Sequence, residues 1–230
     1  MYYSIPTQSN ANQRDVDHFK QMNDRYSKIS KKRISCSHEL TDISRKYKNL
    51  TDKGPDSTYW RKHCYTEFYG PLFDNIKSKE INMLEIGVNW GGSLLMWDDF
   101  LNIKNLHGID INLNKIYPEA AEEIRQRSNI KLFEGDAYNV SFIDKNIRKI
   151  SYDIILDDGS HLYEHQVKFF NNYVKFLSPG GFLLCEDFST VEQARAVIED
   201  CELNINRMSL IIRNHCIPSG KGEIIVMYKE

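Results

Sequence analysis

From residue 82 to residue 185, short apolar runs alternate with helical patterns, and that rhythm leaves few architectures open. Strands are expected at residues 82–86, 105–109, 130–133, 152–156 and 181–185, with helices between them at about 93–101, 119–128, 141–148 and 162–177. Parallel neighbours need a crossover, and a helix after each strand supplies one, almost always right-handed. The ending breaks the rhythm. After a helix at 191–202, residues 208–213 and 224–228 read as two strands joined through Pro218-Ser219-Gly220-Lys221-Gly222, too short for a crossover helix, so they should pair antiparallel. The expected fold is α/β and Rossmann-like: a mostly parallel seven-stranded sheet with a C-terminal antiparallel hairpin and an N-terminal helical extension.

The extension is read from residues 1–50. Residues 1–11 are polar and loose, Val16, Phe19, Met22 and Tyr26 form a helical stripe within 12–32, and 38–50 suits a second helix. Its apolar positions suit a lid over an acceptor or a homo-oligomer contact. Thr51-Asp52-Lys53-Gly54-Pro55-Asp56 breaks the pattern with turn residues, and an aromatic helix is expected at 59–76, carrying Trp60, Tyr65, Phe68, Tyr69 and Phe73. The chain thus divides into an extension, 1–50, and one domain, 51–230.

A net charge of -2 gives no reason to expect a polyanionic partner. The ten Lys/Arg against five Asp/Glu in residues 1–50, with the run Lys31-Lys32-Arg33, read more cheaply as a solvated helix face than as a nucleic-acid site. Cys36, Cys64, Cys185, Cys201 and Cys216 are scattered without a C-x-x-C pair, which fits a reducing compartment. No basic segment followed by an apolar core opens the chain, and no apolar run approaches a membrane span, so a cytoplasmic protein is expected.

The polar clusters fall at the carboxyl ends of the expected strands, where an open parallel sheet binds its ligand. Met83-Leu84-Glu85-Ile86-Gly87-Val88-Asn89-Trp90-Gly91-Gly92-Ser93 reads as a buried strand entering a glycine turn that opens a helix. Asp110 ends the next strand, 23 residues after Gly87, where an acidic residue meets ribose hydroxyls in nucleotide folds. A dinucleotide or S-adenosylmethionine would suit it. The spacing Gly87-x-x-x-Gly91-Gly92 departs from the G-x-G-x-x-G pyrophosphate turn, and the antiparallel ending tilts the choice towards S-adenosylmethionine. The loop Gly220-Lys221-Gly222 is no P-loop, since Ser or Thr does not follow the lysine.

Asp158 follows the fourth strand and Glu186-Asp187 the fifth, so three carboxylates converge at adjacent strand ends. Together they repel unless a cation or protons intervene. Hard oxygen ligands favour Mg²⁺, with Mn²⁺ or Ca²⁺ as substitutes. Adjacent strand residues point to opposite faces, so Glu186 and Asp187 can both be ligands only where the strand is already turning. His161, three residues beyond Asp158, suits a general base, with His165 as a competitor. Asp158 alone also suits a helix N-cap, and His107 reads as structural.

With these residues assembled, residues 51–230 resemble the class I S-adenosylmethionine-dependent methyltransferases. Within them the chain is similar to the metal-dependent O-methyltransferases that act on sugar hydroxyls in macrolide and polysaccharide pathways. The matching features are Thr51-Asp52-Lys53-Gly54, the segment from His63 to Tyr69, Leu84-Glu85-Ile86-Gly87-Val88, Gly91-Gly92-Ser93, Gly108-Ile109-Asp110, Asp157-Asp158-Gly159-Ser160-His161, Pro179-Gly180-Gly181 and Glu186-Asp187. The resemblance implies S-adenosylmethionine as cofactor and a sugar or sugar-containing small molecule as acceptor. It sets Asp136 against the adenine, and His63, Tyr65 and Tyr69 over the methionine part. Glu85, Gly87, Ser93 and Asp110 complete the expected cofactor contacts, together with Asp157, which either binds the cofactor or holds a loop. The expected metal ligands are Asp158, Glu186 and Asp187, and the expected reaction is in-line methyl transfer to an oxygen, with His161 taking its proton. Rival readings are methylation of nitrogen or another small-molecule acceptor, a non-catalytic cofactor- or RNA-binding protein, and an NAD-dependent oxidoreductase. Base-amine methylation is disfavoured, because no Asn-Pro-Pro-Tyr-like motif follows the fourth strand.

Overall fold

The computed structural model describes residues 38–58, 63–147, 149–213 and 223–230. Two short helices, α1 (Glu39–Lys46) and α2 (Thr66–Phe73), lead into the alternating part: β1 (Ile81–Ile86), α3 (Gly92–Phe100), β2 (Ile103–Asp110), α4 (Pro118–Gln126), β3 (Ile130–Glu134), α5 (Val140–Asn146), β4 (Tyr152–Asp157), α6 (Tyr163–Tyr173) and β5 (Leu177–Cys185). Helix α7 (Val191–Asp200) and the strands β6 (Met208–Arg213) and β7 (Glu223–Lys229) complete it. The sheet order is β3-β2-β1-β4-β5-β7-β6. β1 to β5 pair in parallel, and β7 runs antiparallel between β5 and β6. This is the expected seven-stranded Rossmann-like sheet with its hairpin. Strand order reverses between β1 and β4, so the crevice for a ligand opens at their carboxyl ends.

Period-two alternation divides the core between the two faces. Met83, Ile154, Leu156, Phe182 and Leu184 pack on the face covered by α1 to α4. Leu84, Ile86, Ile155, Leu183 and Cys185 pack on the other, under α5 to α7. Each such fully buried side chain contributes about 1.5–3 kcal/mol. Leu40, Ile43, Tyr47 and Leu50, from the segment assigned to the extension, belong to the first of these clusters. Helix ends follow local chemistry: the His38 ring accepts from Leu40 N, Asn139 and Thr190 cap α5 and α7, and α4 opens on Pro118.

Three boundaries differ from expectation. Of the helix expected at 59–76, residues 59–62 lie outside the described ones and the helix begins at Thr66 and ends at Phe73, because the N–H groups just before it are taken by distant partners. His63 N donates to Asp52 O (2.9 Å), Cys64 N to Glu223 Oε1 (2.6 Å) and Thr66 N to Lys53 O (3.2 Å). The helix expected at 38–50 ends at Lys46, where Leu50 N and Thr51 N turn back to Tyr47 O. The helix expected at 162–177 ends at Tyr173, and after one 3-10 turn Leu177 already begins β5. The stripe at 12–32, the run Lys31-Lys32-Arg33, Cys36, Trp60, Cys216 and the loop 218–222 lie outside the described residues. Cys64, Cys185 and Cys201 are buried, the last two as free thiols. Among the described residues no helix is long and apolar enough to cross a membrane.

His107, expected to be structural, is buried on β2 with Nδ1 2.6 Å from the Tyr152 hydroxyl and its ring edge-on to Phe133. Burial, helped by Lys131, lowers its pKa to about 4. The unfolded chain protonates this ring near pH 6.5, so its stability contribution is complete above that pH and is lost as pH falls towards 4. In urea titrations at pH 7 and pH 4.5, His107→Gln should lose less stability on acidification than the parent protein. Equal losses in the two proteins would remove His107 from the acid response.

Candidate active site

The glycine turn is shaped first by the protein's own backbone. Gly87 follows β1 at φ 87°, and a Cβ there would strike the carbonyl of Asp158, which follows the neighbouring β4. Gly92 opens α3, and its N–H donates to Leu50 O (3.1 Å) while a Cβ would meet that same carbonyl. The segment 50–53 is thereby drawn across the start of the helix. The residues around the turn enclose a cavity of about 600 Å³, lined among others by Ser93, Asp110, Asp136, Asp158, His161 and Asp187.

At one end, Asp110 is held by backbone donors: Asn89 N reaches Oδ2 and Asn112 N reaches Oδ1, both at 2.9 Å. Asp136 is exposed on the wall, where its Oδ1 accepts from Tyr138 N (2.8 Å). Glu85, expected at the cofactor, lies behind the turn, fully buried, with its carboxyl between Ser93 Oγ (2.9 Å) and Trp97 Nε1 (3.2 Å). Burial pushes that carboxyl up to about 7. Asp157 also faces inward, accepting from the Tyr138 hydroxyl (2.8 Å) and Gly159 N (3.1 Å), and the same hydroxyl accepts from Ser160 N (3.2 Å). Of its two expected roles, this is the geometry of holding a loop. His165 stacks on Tyr138 at 4.1 Å with Nδ1 2.6 Å from Ser160 Oγ, which commits the competing base to that loop.

At the other end is an acidic centre. Alternation sends Asp158 and Glu186 to the same face of the sheet, and Lys53 enters between them, with Nζ 2.8 Å from Asp158 Oδ2 and 2.7 Å from Glu186 Oε2. Burial works against the ammonium, but Asp158 and Glu186 outweigh it and hold the amine charged well above the ordinary lysine range. Glu186 Oε1 accepts from the Tyr69 hydroxyl (2.6 Å), so both carboxylate oxygens are spent inward, and the side chain is fully buried. The chain then turns at Asp187, whose φ of 57° brings its carboxylate back to the cavity. One oxygen accepts from the Tyr65 hydroxyl and the other lies 3.7 Å from His161 Nε2. Burial works against this carboxylate too, yet His63, His161 and Tyr65 outweigh it and hold Asp187 below the ordinary range.

Asp158, His161 and Asp187 offer ligand atoms within 4.8 Å of one another. Glu186, expected as a third carboxylate ligand, is not part of that group, because both its oxygens are taken in the core by Lys53 and Tyr69. Asp158 is not a helix cap either, since α6 begins at Tyr163 and its N-cap is Leu162. His63, Tyr65 and Tyr69 stand behind the carboxylates, outside the cavity lining: Tyr65 and Tyr69 hydrogen-bond them, and His63 stacks on Tyr65 at 4.9 Å. Asn89, His161 and Asp187 are the non-glycine residues with positive φ among the described ones, and all three line this cavity. Strain of this kind persists where the surrounding structure imposes it and gathers at functional sites. Lys53 and Tyr138 had no assigned role in the sequence. The quoted turn Thr51-Asp52-Lys53-Gly54 was the available signal for the first, and nothing local marked the second.

A family described as a methyltransferase domain matches residues 84–188. The mycinamicin VI 2''-O-methyltransferase of Micromonospora griseorubida is 32% identical over 136 residues, covering 56% of this chain and 32% of the relative. Demethylmacrocin O-methyltransferase of Streptomyces fradiae is 30% identical over 164 residues, covering 68% of this chain and 38% of the relative. The chain thus spans about a third of the length of these curated relatives. Among solved structures, the MycE methyltransferase from the mycinamycin biosynthetic pathway, in complex with Mg, SAH and mycinamycin VI, superposes with a TM-score of 0.60 at 20% identity, over 85% of this chain and 55% of that one. At that identity the likeness speaks for the fold. The family match takes in Asp158, His161, Glu186 and Asp187, whereas Lys53, Tyr65 and Tyr69 come from the segment ahead of it.

Gly87→Ala should lower the unfolding free energy by about 1–3 kcal/mol, because the added methyl group meets backbone and the φ is positive. Urea unfolding measures this directly, and a variant as stable as its parent would contradict the close approach of the two strand ends.

Proposed function

We propose that this chain, by fold and sequence a class I S-adenosylmethionine methyltransferase related to the macrolide sugar O-methyltransferases, transfers a methyl group to a hydroxyl of a sugar-containing natural product. The observation that carries the reading is the meeting of His161, Asp158 and Asp187 at one end of a cavity whose other end presents Asp110. S-adenosylmethionine supplies a methyl group already bonded to its leaving group. Asp110, with its carboxylate fixed by two backbone N–H groups, is aligned to accept from ribose hydroxyls. Asp136 lies along the same wall, towards the base. Ser93 and Gly87 form the edge of the turn that the cofactor follows.

An alcohol is a poor nucleophile at neutral pH, so an acceptor hydroxyl needs a base beside it. His161 fits that role: its side chain is 39% exposed, its ring faces the cavity, and Asp187 Oδ2 lies near enough to favour the imidazolium that forms. Tyr65 fixes Asp187 from behind. Asp158 and Asp187 each commit one oxygen inward, to Lys53 and Tyr65, and the hard carboxylate oxygens they leave to the cavity fit a divalent cation such as Mg²⁺ or Mn²⁺. Bound there, Mg²⁺ would supply a Lewis acid that lowers the pKa of an acceptor hydroxyl. In this reading Asp158 and Asp187 are the ligands, Glu186 stands behind them, and His161 is kept for the proton.

Calorimetric titration of S-adenosylmethionine, followed by methyl transfer to vicinal-diol sugars and glycosylated macrolides, tests the reading. Binding in the micromolar range and O-methylated product are expected. His161→Ala should lose about 100-fold or more in turnover with cofactor affinity unchanged. Absence of cofactor binding would end the reading, and full turnover by the variant would remove His161 from the chemistry.

A further inference from the structure

We infer that Lys53 is a positioning residue of the reaction centre: an internal cation that fixes Asp158 and Glu186 and sets the charge left for a metal. Its side chain is 1% exposed, bridges carboxylates from the ends of β4 and β5, and passes 5.5 Å from the Tyr65 ring. Its backbone is held as firmly. Leu50 O accepts from Gly92 N, Asp52 O from His63 N and Lys53 O from Thr66 N, so the strand of chain carrying Lys53 is tied to the start of α3 and of α2.

A buried ion pair is a poor source of stability, since well-packed apolar residues in its place are often as good or better. What the lysine adds here is charge and geometry. One positive charge within hydrogen-bond reach of both Asp158 and Glu186 offsets part of the negative charge of the acidic centre and so lowers its pull on a divalent cation. Lys53 also takes Oδ2 of Asp158, which fixes how the rest of that carboxylate faces the cavity, and Oε2 of Glu186, which keeps that side chain out of it. A displacement of about 1 Å in a reacting group can cost about 100-fold in rate, so a residue that only aims Asp158 bears on turnover without touching the acceptor.

The inference rests on the methyltransferase reading for its kinetic arm alone; the metal arm reads charge at the centre whatever the reaction. Lys53→Met should bind S-adenosylmethionine as the parent does, lose about 100-fold in kcat with a smaller change in cofactor KM, and gain a larger rise in Tm on addition of Mn²⁺, because the acidic centre then lacks its internal cation. Lys53→Met/Glu186→Gln removes both members of the pair and serves where the single variant fails to fold. Its Mn²⁺ response should return to that of the parent while kcat stays low, since Asp158 has still lost its anchor. Turnover near the parent's in either variant, or a Mn²⁺ response in Lys53→Met no larger than the parent's, would overturn the inference. A parent protein that binds no S-adenosylmethionine would instead end the methyltransferase reading and leave the Mn²⁺ comparison to judge Lys53.

Discussion

A parallel sheet delivers every strand's carboxyl end to one edge, and this chain sets acids at three adjacent ends, on β1, β4 and β5, facing the same layer of helices. Glu85, Asp158 and Glu186 therefore crowd one side of the sheet, with Glu85 and Glu186 wholly out of water. Charges so buried must be paired or protonated. Both devices act along the edge: burial raises Glu85 to about 7 and Glu186 well above the ordinary carboxylate range, and Lys53, set between Asp158 and Glu186, works against that rise. Lys53 reaches them because segment 50–53 lies against the first turn of α3, and that contact exists because residue 92 has no side chain. The acidic centre and the cofactor turn are thus two consequences of one close approach of backbone to backbone.

The same alternation that builds the core sorts the functional groups. Leu184 and Glu186 share a face, as do Leu156 and Asp158, so the last side chains of β4 and β5 on that face are acidic where the earlier ones are apolar. Asp157 and Cys185 face the opposite layer, and Asp157 is spent there on Tyr138 and Gly159. A strand that simply continued would carry Asp187 to that second layer as well. The left-handed backbone at Asp187 interrupts the alternation, and a second left-handed residue, His161, brings the imidazole to meet it.

The sheet was legible in the sequence because its evidence is periodic and repeated: five apolar runs, each followed by a helical pattern, overdetermine the crossovers, and the short link before residue 223 fixes the hairpin. The acids at the strand ends were legible for the same reason. What local pattern cannot carry is pairing across the fold. α2 begins late because N–H groups at 63, 64 and 66 answer to Asp52, Glu223 and Lys53, partners visible only once the chain is folded. Glu186 and Asp187 are equivalent as letters, and one φ value separates them. Lys53 reads as an ordinary solvated lysine in a polar turn, and its burial depends on acids 105 and 133 residues away. Tyr138, in the loop after β3, and Asp157, at the end of β4, have no motif linking them.

The arrangement separates fixing from reacting. Asp158 and Asp187 are each held through one oxygen by a buried donor, Lys53 and Tyr65 respectively, and both donors come from the segment before the sheet begins. The rest of each carboxylate faces the cavity, where its direction is set by bonds the ligand never touches. A proton arriving on His161 in the proposed reaction puts a positive charge beside Asp187, whose own charge is secured in advance by His63 and Tyr65. The base therefore gains its counter-charge without any group having to move, because the field it needs is built into the folded chain.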